Sequence, residues 1–175
     1  MKKAAFWAEQ YRRLIGKMVG ACYRYVADWD LAEDLAQDAF LAAMEKAGTF
    51  RAFGSFEGWL MKITVNQALM YLRDCPEMVE WDENLLGQET TEVPDEKDLP
   101  SIEFSQEELL DAIGKLPVKQ RTVFNLYAVE HYSHAEIAKA LGISVANSKV
   151  LLTRARAELQ QRLKVVARAK LRIKN

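Results

Sequence analysis

Trp59, Lys62, Asn66 and Arg73 combine the side-chain types that can meet a nucleic acid. The cations can pair with phosphates, the amide can hydrogen-bond a base edge, and the indole can stack on an unpaired base. On a helix turning ~100° per residue they share a narrow arc nearly opposite Met61, Val65, Ala68 and Leu72. The plain alternative is an amphipathic helix with Trp59 in the core and the others solvated. A second set, Asn147, Ser148 and Lys149, opens a long helix that starts at Val145, with Arg154 and Arg156 further along. The first three would meet base edges or flanking phosphates; the two arginines suit the backbone or internal support. His131 and His134 are the two histidines, and at i, i+3 they could share a helical face, but no third ligand signature accompanies them. No Walker-type glycine loop or nucleophile elbow is found, so neither an enzyme nor a metal or cofactor site is expected.

The elements that must hold these residues are helical throughout. A first helix is expected over about 4–27, and a second from near Asp30, with Gly48 as its stop. In the second, Leu31, Leu35 and Ala39 can face inward while Asp34, Gln37 and Phe40 lie along one flank. The glycine-containing stretch TFRAFGSF (49–56) leads to a third helix over about Glu57–Arg73. Further on, Leu116-Pro117 opens a helix, and Ser133 with Glu136 three residues later forms a capping box whose helix buries Ile137 and Leu141. Gly142 fits a tight turn and Ser144 an N-cap, which together describe a helix-turn-helix.

Charge divides the 175-residue chain into three. Residues 74–108 hold thirteen acidic side chains against Lys97 as the one basic group, with Pro76, Pro94 and Pro100 among them. Residues 109–175 hold thirteen basic and four acidic groups, and no acid follows Glu158. A near-neutral total therefore hides a basic C-terminal module, the footprint of a phosphate-backbone partner. The expected organisation is all-α: a helical domain over 1–73, an acidic flexible linker over 74–107, and a helix-turn-helix domain with a basic tail over 108–175. Cys22 and Cys75 are expected as free thiols. No run approaches a membrane span and the start lacks an apolar signal core, so a cytoplasmic protein without membrane insertion is expected.

The order of the modules resembles bacterial RNA polymerase sigma factors of the small extracytoplasmic-function type, in the sigma-70 family. AEDLAQDAFLAAMEKAGTF is similar to the part of region 2 that docks on the β′ clamp helices, and EGWLMKITVNQALMYLR to the helix that binds and melts the −10 element. KLPVKQRTVFNLYAVEHYSHAEIAKALGISVANSKVLLTRARAEL resembles region 4, which reads the −35 element and touches the β flap. The resemblance implies core-polymerase contacts at Asp34, Gln37 and Phe40. It implies −10 contacts at Arg51, Phe53, Ser55, Trp59, Lys62, Asn66 and Arg73, the loop 51–55 accepting a flipped base. It places Lys149 at a basic position of the −35 helix, beside Asn147 and Ser148 and before Arg154 and Arg156. Core RNA polymerase and promoter DNA are the implied partners, and an anti-sigma factor is a family expectation. Two positions depart from the pattern: Met70 stands where the family has a polar residue, and Leu151 replaces an arginine, removing one expected DNA contact. The competing reading is a stand-alone helix-turn-helix regulator with a sensing or dimerising N-terminal domain.

Overall fold

A computed structural model describes residues 2–51, 54–75 and 103–173, all helical or connecting. Most of the acidic linker and Phe53 lie outside the described residues. The chain divides into two compact units, 1–78 and 79–175. No helix among the described residues is long and apolar enough to cross a membrane.

The first unit packs three helices pairwise: α1 (Lys2–Val26), α2 (Trp29–Glu45) and α3 (Phe56–Asp74). Leu14, Met18, Ala21 and Tyr25 recur at helical spacing on α1 and are wholly buried, facing Ala36, Ala39 and Ala43 of α2 and Leu60, Val65 and Ala68 of α3. The alanines on α2 leave room for close helix approach, and the aromatic rings gather at one end of the bundle. There Trp7 packs edge-on against Phe40 and Phe56 at 5.6 Å, and Phe40 also meets Tyr11 at 5.1 Å. Asp28 caps α2 by accepting from the Leu31 amide at 3.0 Å, two residues ahead of the expected start. Lys17 and Glu57 tie α1 to α3 at 2.7 Å. Cys22 is buried, and burial pushes its thiol up to about 12, so it stays protonated and inert.

The second unit has α4 (Gln106–Gly114), α5 (Val118–Ala128), α6 (His134–Leu141) and α7 (Val145–Ile173). Glu107 and Glu108, expected in the linker and just after it, form the first turn of α4 behind a Ser105–Glu108 capping box. Arg121 is 4% exposed, and its guanidinium donates to the carbonyl of Gly114 at 2.7 Å, closing the end of α4. The basic tail is a continuation of α7. Leu163 packs beside Ala112 and Leu116, while Lys170 bonds the Glu108 carboxylate at 2.6 Å and the Glu103 carbonyl at 2.9 Å. The Ser133–Glu136 box and the left-handed Gly142 (φ 67°) form as the sequence predicts.

Two left-handed positions set opposite expectations. Ala27, between α1 and α2, takes φ 55° despite its Cβ, whereas a Cβ on Gly142 would meet nothing within 4 Å. Ala27→Gly should therefore stabilise the first unit by about 1 kcal/mol, and Gly142→Ala should destabilise the second by about 1 kcal/mol. Denaturant unfolding of the full chain, followed by probes in each unit, measures both.

Candidate nucleic-acid interface

Helix α3 is launched by Ser55, whose hydroxyl accepts from the Gly58 amide at 2.9 Å. Ser55 is exposed but already serves as an N-cap, and Arg51 is exposed on the preceding loop. The arc that carries Lys62, Asn66 and Arg73 is on the surface, as the helical spacing predicts. Trp59 is half-buried, its ring 5.5 Å from both Phe50 and Phe56, so it joins the aromatic cluster and shows one side to solvent. Met70 completes the arc at 46% exposure. Its polarity, and nothing about its spacing, had kept it from the candidates. The inward stripe is set differently from the expected one: Leu60 and Thr64 are buried with Val65, Ala68 and Leu72, and Met61 is part exposed.

Helix α2 corrects one assignment. Asp34 and Gln37 are exposed, but Phe40 is 5% exposed and held between Trp7 and Tyr11, so its ring belongs to the core. The residue that shares the outer face with Asp34 and Gln37 is its neighbour Leu41, 58% exposed, with Met44 one turn on. Carboxylates and an amide around an apolar centre match the make-up of a protein-binding surface more than a nucleic-acid one. Beside it, α1 and α2 enclose a groove lined by Ile15, Val19, Trp29, Glu33 and Gln37.

In the second unit the start of α7 divides its residues sharply. Ser144 caps the helix, accepting from the Asn147 amide at 3.0 Å. Asn147 is buried, and Ser148 is wholly buried with its hydroxyl 2.9 Å from His134 Nδ1. Both were expected at base edges or flanking phosphates; they are turned inward instead, Ser148 onto His134 of α6. Leu151 is buried as well, so its replacement of an arginine takes nothing from the outer face. Lys149 is exposed, Arg154 is part exposed, and Arg156 is exposed with its guanidinium 5.6 Å from the Tyr127 ring centre. Tyr127 in turn stacks on His134 at 4.7 Å. His131 lies before α6 at φ 59°, so the two histidines do not share a helix.

Desolvation, reinforced by Lys149 and Arg156, holds the His134 imidazole below its ordinary value of 6.5. Its folded pKa being the lower one, the unfolded chain takes up the proton first as pH falls. Stability of the second unit should then decline below about pH 6.5 and recover above it. Urea unfolding at about pH 7.5 and about pH 5.5 tests this, and His134→Gln should flatten that part of the difference.

Comparison with known proteins matches both units. The family described as Sigma-70 region 2 covers residues 8–75, and Sigma-70, region 4 covers residues 106–159. The ECF RNA polymerase sigma factor SigW of Bacillus subtilis is 30% identical over 157 residues, 85% of this chain and 83% of that protein. The RNA polymerase sigma factor YlaC of the same organism is 30% identical over 156 residues, 87% of this chain and 89% of its own. The sigma factor RpoE of Bartonella quintana, solved with the anti-sigma factor NepR, shares the fold at a TM-score of 0.54 and 21% identity, over 90% of this chain and 96% of that one. Two sigma-70 regions in this order, with relatives aligned along most of their length, place the chain in the sigma-70 family of RNA polymerase sigma factors, in its extracytoplasmic-function branch.

Proposed function

We propose that this sigma factor works in the cytoplasm by docking core RNA polymerase through α2, binding and opening the −10 duplex through α3, and reading the −35 element through the start of α7. Asp34, Gln37 and Leu41 would meet the β′ clamp helices. Lys62, Asn66 and Arg73 would hold the −10 strand, with Arg51 and the free side of Trp59 at the entrance to the flipped-base loop. Lys149 would touch the −35 duplex, and Arg154 and Arg156 would flank it. The β flap is the partner for the rest of the second unit, and an anti-sigma factor the partner class for the groove between α1 and α2. No bond-making step is assigned to the chain: it selects where the polymerase begins.

The observation that carries this reading is the separation of side chains on α2 and α3. Carboxylates around Leu41 occupy one outer face and cations with an amide occupy the other, in the region where the family match lies. An acidic, apolar-centred face suits a basic protein surface, and a cationic face suits phosphates.

Co-elution with core polymerase and promoter opening separate the roles. Leu41→Ala and the pair Asp34→Ala with Gln37→Ala should weaken core binding about tenfold or more, as truncation of a central apolar anchor does. Asn66→Ala should leave core affinity unchanged and slow strand opening, seen by permanganate reactivity. An equal fall in core affinity would remove Asn66 from the DNA face. Lys149→Ala should reduce the salt slope of promoter binding by about one. Failure to bind the cognate core, with duplex binding retained, would replace this reading by the stand-alone regulator.

A further inference from the structure

The outer arc of α7 at its start consists of Val145, Ala146, Lys149, Val150 and Thr153. Val145 is 41% exposed, Ala146 and Lys149 are exposed, and Val150 and Thr153 are part exposed. The Thr153 hydroxyl donates to the Lys149 carbonyl at 3.1 Å, so its one proton is already committed. The amide and the serine that could have read bases, Asn147 and Ser148, are turned into the unit. The arc therefore offers one cation, no amide, no carboxylate and no guanidinium until Arg154 and Arg156.

Hydrogen-bond readout in the major groove needs an arginine or lysine for guanine, an asparagine or glutamine for adenine, or a carboxylate for cytosine. Three apolar side chains have a different complement there, since thymine alone among the four bases presents a methyl group in that groove. Burying that methyl against valine is favourable for the same reason that burying any apolar surface is.

Resting on the promoter-binding reading above, we infer that the upstream element is discriminated chiefly through thymine 5-methyl groups, packed against Val145, Ala146 and Val150. Lys149 supplies a phosphate contact that positions the helix. Val150 is the specificity-determining residue, because it sits on the side of the arc away from Val145 and widens the apolar strip beyond one base pair. Val150 and its neighbour Leu151 then divide the work between them. Val150 adds apolar reading surface, and the buried Leu151 holds the helix at the rotation that presents it.

The test uses holoenzyme assembled from the full chain and its cognate core. Duplexes are selected from a randomised pool, and each thymine of the enriched upstream element is then replaced by deoxyuridine, which removes the methyl group and leaves base pairing intact. Each methyl in contact should cost about three- to fourfold in affinity. Val145→Ala with Val150→Ala should narrow the thymine-over-uracil preference while leaving the salt slope unchanged. The inference is overturned, and the promoter-binding reading spared, by an enriched element without thymine, by uracil duplexes that bind equally well, or by a preference the double variant leaves intact. A holoenzyme that enriches no sequence overturns the promoter-binding reading, and this inference with it.

Discussion

Helix α7 has to offer one arc to a nucleic-acid groove and the opposite arc to its own unit, and a rotation of about 180° about its axis, close to two residues' worth, would exchange them. Its rotation is fixed at the N-terminal end by three contacts of different kinds. The Ser144 hydroxyl sets where the helix begins, the Ser148–His134 bond locks it to α6, and Leu151 and Leu152 seat it in the core. The stacked Tyr127–His134 pair, with Arg156 over the tyrosine face, braces the same corner from α5. A buried hydroxyl bonded to a half-buried imidazole has few alternative positions, because leaving the hydroxyl unpaired would cost the desolvation of a polar atom. Everything proposed for base reading depends on that setting.

The first unit solves a different problem with the same geometry. A three-helix bundle has little interior, and α2 and α3 must each keep a broad face for a partner. The aromatic cluster at the end of the bundle lets them do so. Trp7, Phe40 and Phe56 fill space that helix-spaced aliphatics alone would leave thin, and their edge-to-face contacts add to the burial. Truncating Phe40 would thus cost about 3–5 kcal/mol of fold before it said anything about docking. Trp59 sits at the margin of that cluster, supported on one side and available on the other.

What could be read from the sequence was what is local. The Ser133–Glu136 box, Gly142 and the Ser144 cap are each decided within three or four residues, and all formed as expected. Most helix ends fell within about two residues of their expected positions, the normal margin where caps compete, but Gly48 is not the stop of α2, which ends at Glu45 with Lys46 as its cap and leaves Gly48 in the 3-10 turn Ala47–Thr49. The exposed arc of α3 was legible too, since period and polarity agreed there. Phe40 was misplaced because its burial depends on Trp7 and Tyr11, about thirty residues earlier, and no local pattern records which of two adjacent apolar residues those rings will claim. Ser148 failed for the same reason: polarity suggested an outer face, and His134 on another helix supplied an inner partner, while Asn147 beside it is also buried. Met70 and Leu41 were passed over because an exposed apolar side chain carries no polar signal to find it by.

The clasp between Lys170 and the stretch Glu103–Glu108 fixes where the acidic segment joins the second unit. That junction lies at the far end of the helix whose other end carries Lys149. Twenty-one residues separate the two lysines, about 32 Å at the α-helical rise. At physiological ionic strength this is about four screening lengths, so charge at the junction is almost invisible at the reading end. One continuous helix thus acts as an insulator: it lets the carboxylates of Glu103, Glu107 and Glu108 and a phosphate-seeking surface belong to the same small unit without the first repelling what the second must attract.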